Sequence, residues 1–159
     1  MTIAEAKQAQ RRAGCDARKA LDAPQRAAAN AALCRRVLEL EAYRTARTLM
    51  LYAAFGGEAD LAAVAAEAVR QGKTVAYPVC GEGFTLTAAV PGADGWAVGQ
   101  YGIRAPVPER STILQPEQLD LVLVPCTAFD TDCYRVGMGK GYYDRYLPRC
   151  TRAVKIGIA

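Results

Sequence analysis

The sequence predicts an α/β fold: a single-domain layered structure in which a mostly parallel sheet is flanked by helices. Three observations predict it. Apolar runs of strand length alternate with amphipathic stretches of helix length along most of the chain. Residues 48–79 read as one strand–helix–strand unit, whose connection implies parallel strands and a right-handed crossover. The run from Leu119 to Val124 is almost wholly apolar, the mark of a strand covered on both faces. With 159 residues, 52% of them apolar and 23% charged, the chain can fill one core and is ordinary for a globular protein.

The elements follow in order. Thr2 and Glu5 form a capping box, so a first, Ala-rich and basic helix starts there and runs to about Leu21. Asp22 and Gln25 repeat the signal, with Pro24 in the first turn, and a second helix runs to about Glu41 with Leu33, Val37 and Leu40 on its buried stripe. Thr48 to Ala53 is a strand and Phe55 to Glu58 a loop. Ala59 to Arg70 is a helix, closed by Gly72. Thr74 to Val79 and Phe84 to Val90 are strands. Pro91 to Gln100 is irregular and holds the single Trp; Gly102 to Pro116 reads as a Pro-rich surface loop with a short helical turn. Leu119 to Val124 is the buried strand. A glycine loop, a helix from Tyr142 to Leu147 and a last strand from Ala153 to Ala159 complete the chain.

Composition removes several functions. The chain has no histidine, which excludes Ser-His-Asp and Cys-His catalysis and histidine-ligated zinc. Six cysteines are widely spaced without a C-x-x-C pair, so free thiols are expected, with Cys34 and Cys126 as core filler. The net charge of +4 suits an anionic small molecule better than nucleic acid, since no basic stripe interleaves with aromatics. No secretory signal and no run of about 20 apolar residues is present, so a cytoplasmic protein with no membrane partner is expected.

The chemistry-bearing stretch follows the buried strand. Gly137, Gly139 and Gly141 alternate with Met138 and Lys140, between Arg135 and a helix start at Tyr142 and Tyr143. A strand, a glycine loop and a helix start can close backbone N–H groups around an anion, while Arg135 and Lys140 add positive charge. Asp144 adds an oxygen ligand where a phosphate-bound Mg²⁺ could sit. A ligand-free tight turn is the other reading of the same glycines, and the spacing matches neither a Walker A motif nor the dinucleotide fingerprint. Lys7 and Arg11, four apart, share a helix face. Taken alone they read first as a solvated basic face, and second as a pair of phosphate ligands. Glu58, after Gly56 and Gly57, could approach a ligand, or complement the next helix dipole, a task Asp60 performs as well. Tyr101 and Trp96 either stack on a flat heterocycle or pack their loops. Asp130 and Asp132 read as turn residues. In an open parallel sheet ligands collect beyond the carboxyl ends of strands, so the loops 54–60 and 126–143 should face one crevice.

The segment Pro125 to Asp130 followed by Arg135 to Asp144 resembles the signature of the 5-formyltetrahydrofolate cyclo-ligase family, P-x-x-A/G-F-D and then R-L-G-x-G-x-G-Y-Y-D. The resemblance runs from Lys7 to the end of the chain. It implies ATP-binding roles for Lys7, Arg11, Arg135, Gly137, Met138, Gly139, Lys140, Gly141, Tyr142 and Tyr143, with Arg135 and Lys140 catalytic. It implies folate contacts at Ala53, Glu58, Tyr101, Met138 and Tyr142, and a Mg²⁺ ligand at Asp144. Residues Tyr101 to Pro106 are similar to the family's G-I-x-E-P segment, with Ala105 in place of the usual Glu. The family continues past its G-I-A strand to a Gln-containing segment, a proline turn and a second metal-binding Asp. The expected organisation is therefore one domain over residues 1–159 without that segment. The implied reaction consumes ATP and 5-formyltetrahydrofolate and yields 5,10-methenyltetrahydrofolate, ADP and phosphate, with reduced folate and ATP as the partners of a monomer. The alternatives are a nucleotide- or folate-binding protein without turnover, and a sugar-phosphate isomerase or transferase on a similar sheet.

Overall fold

The computed structural model describes residues 2–159. In chain order its elements are α1 (Ile3–Ala20), α2 (Ala23–Glu39), α3 (Glu41–Thr45), β1 (Thr48–Met50), α4 (Ala62–Arg70), β2 (Thr74–Cys80), β3 (Leu86–Pro91), β4 (Trp96–Val98), β5 (Arg104–Pro106), β6 (Ser111–Leu114), β7 (Leu121–Pro125), β8 (Ala128–Phe129), β9 (Arg135–Val136), α5 (Tyr142–Tyr146) and β10 (Val154–Ile158). Among the described residues no helix is long and apolar enough to cross a membrane.

The main sheet has the order β10-β7-β1-β2-β3-β6. Its first four strands are parallel, and β3 and β6 are antiparallel additions at one side. This is the α/β layered architecture that the sequence predicts. Period-two alternation divides the strands between two cores. Leu49, Leu51, Val75, Leu121 and Leu123 point to the layer made by α2, α3 and α4. Met50, Ala76, Val122 and Val124 point to the opposite layer, with Tyr146 and Cys150 of the α5 region. Strands covered on both faces need apolar residues at successive positions, which accounts for the unbroken Leu121–Val124 run.

Both predicted capping boxes form. Thr2 Oγ1 accepts from Glu5 N at 3.2 Å, and Asp22 Oδ1 accepts from Gln25 N at 2.8 Å. Helix α2 stops at Glu39 instead of Glu41, because Leu40 turns extended and opens the separate five-residue α3. Strand β1 is shorter than expected and α4 starts three residues later than Ala59, so the loop between them is longer. The expected strand from Phe84 begins at Leu86, since Phe84 sits at φ +57° in a turn. Residues 91–116 are more ordered than expected: β4 pairs with β5, and β6 pairs with β3 as an edge strand. The loop after β7 likewise contains the small β8–β9 ladder. The six cysteines are free thiols, with Cys34 and Cys126 buried.

Candidate active site

The carboxyl ends of β7 and β1 each lead into a loop, and the parallel order places the two loops side by side. After β7, Thr127 anchors the β8–β9 hairpin: its N and Oγ1 both donate to Val136 O, at 2.7 and 2.8 Å. Asp130 shapes the turn, its Oδ1 accepting from Asp132 N at 3.0 Å and Tyr134 N at 2.9 Å. The chain then delivers Arg135 and enters the glycine loop. Gly139 and Gly141 lie at φ +96° and +75°, the left-handed region that favours glycine. Gly141 caps α5 without a side-chain bond, and α5 has only five residues, so the helix contributes little dipole. Positive charge at this loop comes from side chains.

Helix α1 supplies part of that charge. It buries no residue of its own; it is held by a stripe of contacts one to two turns apart. Arg11 Nε donates to Gly137 O at 2.6 Å. Gly14 lies against Thr127, so close that a Cβ would sit 2.2 Å from the carbonyl oxygen. Arg18 Nη2 donates to Cys126 O. Lys7 lies on the same helix face one turn before Arg11 and is exposed. The basic face of α1 is therefore not wholly solvated: Arg11 reaches into the glycine loop.

On the loop itself, Arg135 Nη2 is 2.6 Å from Asp144 Oδ1, and its guanidinium lies 5.8 Å from the centre of the Tyr143 ring. Lys140 and Met138 are exposed. Arg145 Nη1 donates to Lys140 O at 3.1 Å and stacks over Phe84 at 5.5 Å. Tyr142 packs edge-on to Phe84 at 5.7 Å and shares a 3.3 Å hydroxyl contact with Tyr101. That hydrogen bond is the leading cause that pushes the Tyr142 phenol up to about 12, so Tyr142 is neutral near pH 7. Tyr101, like Phe84, holds a left-handed backbone, at φ +63°.

The loop after β1 brings Glu58. Its Oε2 accepts from Phe55 N at 3.0 Å across a turn whose Gly56 and Gly57 both have positive φ. Burial raises the Glu58 carboxyl above the usual range, against the opposing pull of the Phe55 N–H and Arg18. Asp60 performs the helix-start role, its Oδ1 accepting from Ala62 N at 2.9 Å, which leaves Glu58 without that task. Ala53 is half-buried at the start of this loop, and the buried Tyr52 donates its hydroxyl to Ala59 O at 2.9 Å. The convergence of the two loops shows at Arg18, which donates to Cys126 O in one loop and packs against Gly57 in the other, its Cβ 4.0 Å from where a Cβ at Gly57 would sit.

Trp96 is occupied elsewhere. It packs edge-on to Tyr77 at 4.7 Å and under Arg104 at 4.6 Å, so of the two readings loop packing holds for it. Arg18, Tyr52, Phe84 and Arg145 belong to the crevice without having been singled out in the sequence. Only Arg18 carried a signal, since it continues the Lys7–Arg11 face at i+7 from Arg11. Two grooves elsewhere, one between Val69, Tyr77 and Trp96 and one along α2 at Arg26 and Asn30, are lined by none of these residues.

The donor set also decides what cation it could hold. Among the described residues no three His, Cys, Asp or Glu side chains gather as a metal cage. Asp144 is a single carboxylate, exposed, with one oxygen on Arg135. That set fits a Mg²⁺ carried in on phosphate oxygens, which needs only one or two protein carboxylates, and does not fit a cation held by protein alone.

Comparison with known proteins identifies the family. The family model described as "5-formyltetrahydrofolate cyclo-ligase family" matches residues 3–158. The chain is 31% identical over 130 residues to the 5-formyltetrahydrofolate cyclo-ligase of Haemophilus influenzae, covering 80% of this chain and 70% of that protein. A probable 5-formyltetrahydrofolate cyclo-ligase of Schizosaccharomyces pombe is 28% identical over 121 residues, 74% of this chain; the match spans 59% of that relative's length. The solved 5,10-methenyltetrahydrofolate synthetase of Aquifex aeolicus superposes with a TM-score of 0.82 at 31% identity, over 96% of this chain and 77% of that one. On sequence and on fold together, the chain belongs to the 5-formyltetrahydrofolate cyclo-ligase family.

Proposed function

We propose that the chain carries out the ATP- and Mg²⁺-dependent cyclisation of 5-formyltetrahydrofolate to 5,10-methenyltetrahydrofolate. The observation that carries this reading is the meeting of a cation-rich glycine loop with a desolvated carboxylate, Glu58, around one crevice. Relatives named as cyclo-ligases and synthetases support the same chemistry.

The reaction has a clear physical need. A formyl oxygen on N5 is a poor leaving group. It attacks the γ-phosphorus of ATP, the bond from γ-phosphorus to the bridging oxygen breaks, and ADP leaves. The N10 lone pair then attacks the formyl carbon. The C–O bond breaks, phosphate departs with the former formyl oxygen, and the N10 proton goes to solvent. Such transfer depends on positioning and charge neutralisation more than on acid–base groups, which a chain without histidine can supply. Arg11 and Arg135 would hold phosphate oxygens at the loop, with Lys7 and Lys140, both exposed, free to swing onto them. The loop glycines let backbone and phosphate approach closely. Mg²⁺ on Asp144 and the phosphates would neutralise developing charge. Glu58 would orient the pterin through its ring N–H groups, while Ala53, Tyr101, Met138 and Tyr142 form the walls. Once folate is seated, those aromatic and apolar side chains would cover the reacting atoms from water. The corresponding setting is a cytoplasmic monomer acting on small molecules.

The test is direct. Incubated with 5-formyltetrahydrofolate and Mg-ATP, the chain should produce methenyl absorbance only when ATP is present. Nucleotide binding without absorbance would contradict turnover; binding of neither compound would contradict the whole reading.

A further inference from the structure

Tyr143 is the residue of the crevice whose hydrogen bonding is unfinished. Its ring lies beside the Arg135 guanidinium, yet its hydroxyl is buried and has no partner among the described residues. Its neighbours are already committed: Tyr52 donates to Ala59 O, Glu58 accepts from Phe55 N, and Arg135 pairs with Asp144. A buried hydroxyl without a partner is costly to keep, so each one in a native fold calls for an explanation. Two other buried side-chain atoms share this state, Arg26 Nε and the Tyr146 hydroxyl. Arg26 spends another nitrogen on Arg18 O and Leu21 O at the α1–α2 corner. Tyr146 lies in the core with Met50, Leu119 and Cys150. Of the three, Tyr143 is the one on the glycine loop's side of the fold, its ring 5.8 Å from the Arg135 guanidinium.

Resting on the reaction proposed above, we infer that Tyr143 serves the folate and not the nucleotide: its hydroxyl donates to the N5-formyl oxygen. In that reaction this oxygen lies between the pterin, oriented by Glu58, and the γ-phosphate, held by Arg135, and the Tyr143 ring lies beside Arg135. An amide-like carbonyl oxygen is a matched acceptor for a neutral phenol. A phosphate oxygen is the competing acceptor, but it meets the cations Arg11, Arg135 and Lys140 first, and charged donors outbid a neutral one. The phenol keeps its proton throughout; it fixes the angle at which the formyl oxygen meets phosphorus and bonds covalently to nothing.

The experiment compares two folates. 5-Methyltetrahydrofolate carries its substituent on the same nitrogen but lacks the carbonyl oxygen. Affinities for 5-formyl- and 5-methyltetrahydrofolate and for a non-hydrolysable ATP analogue are measured by calorimetry on wild type and Tyr143→Phe, with melting temperatures alongside. The inference expects the variant to bind the 5-formyl compound about tenfold more weakly, the size of one good hydrogen bond. It expects the 5-methyl compound and the ATP analogue to be held within about twofold of wild type, and no fall in melting temperature, because the lost hydroxyl has no partner in the free protein. Equal loss for both folates, or lost nucleotide affinity with folate binding intact, overturns it. So does a lowered melting temperature with all three ligands weakened, the mark of a purely structural tyrosine. A wild type that binds no folate overturns the folate reading and this inference with it. A wild type that prefers the 5-formyl compound, matched by an equally selective variant, overturns this inference alone.

Discussion

Gly14→Ala is the perturbation that separates the two readings of the basic face of α1. In an exposed helix interior this change normally stabilises by about 1 kcal/mol, because alanine loses less backbone entropy. Here the added Cβ would lie 2.2 Å from Thr127 O, where ordinary contacts begin at about 3.0 Å, so α1 must retreat by roughly 0.8 Å or more. Overpacking of this kind costs about 1–3 kcal/mol when a helix cannot move. Helix α1 can move, since it buries no residue. The clash should therefore undock α1 and leave both cores intact. Undocking breaks the Arg11 bond to Gly137 O and the Arg18 bond to Cys126 O. If Arg11 holds phosphate, its displacement removes a charged hydrogen bond of about 1.5–3 kcal/mol, or roughly 10- to 100-fold in nucleotide affinity. The assay pairs hydrogen exchange over residues 3–20 with a nucleotide titration. The expected result is faster exchange in α1, a melting temperature shifted by no more than a few degrees, and the stated loss of affinity. Protected α1 amides together with wild-type affinity would refute the reasoning.

Three further outcomes follow from the same geometry. Burial raises the Glu58 carboxyl, so the native state holds its proton more tightly than the unfolded chain; that stabilisation is complete below the unfolded glutamate value of about 4.3 and is lost as pH rises through the folded value. Glu58→Gln should accordingly raise the melting temperature near pH 7 and change it little near pH 4, and an equal effect at both would contradict the burial argument. Phe84→Gly relieves a left-handed backbone worth about 1–2 kcal/mol and loses an edge-on contact with Tyr142 worth about 0.5–1.5 kcal/mol and the Arg145 stack worth about 0.5–1 kcal/mol, so stability should stay within about 1.5 kcal/mol while folate affinity falls; a collapse in stability would show that Phe84 is core. Mg²⁺ alone should bind weakly or not at all and should bind tightly once nucleotide is present, as calorimetry with and without an ATP analogue would reveal; tight binding to the free protein would contradict a site that is completed by phosphate.

What the sequence disclosed, and what it hid, has a physical pattern. Helix starts were legible because a capping box is a local hydrogen-bond pair, visible at Thr2 and Glu5 and again at Asp22 and Gln25. The central strands were legible because burial on both faces demands apolar residues at each step, as from Leu121 to Val124. The strands β4, β5 and β6 were hidden: they are three to four residues long, half-exposed and set among prolines, so no alternation survives. Among site residues, strand order marked the loop that carries Glu58, whereas helix spacing alone read the Lys7–Arg11 face first as solvated, and the phosphate role came from the family resemblance. Arg18 and Tyr52 could not be assigned, since their partners are backbone carbonyls of Cys126 and Ala59 that only the folded chain brings near. The left-handed backbones of Phe84 and Tyr101 have no sequence signature at all, because such conformations are imposed on these residues by the turns around them.

A crystal structure of the chain with Mg²⁺ and a non-hydrolysable ATP analogue tests the grip on the triphosphate most directly. The phosphates should lie along residues 137–141, with Arg11 and Arg135 within hydrogen-bond distance and Asp144 facing the metal. Nucleotide density anywhere else, with Arg11 still on Gly137 O and Arg135 still on Asp144, would contradict it.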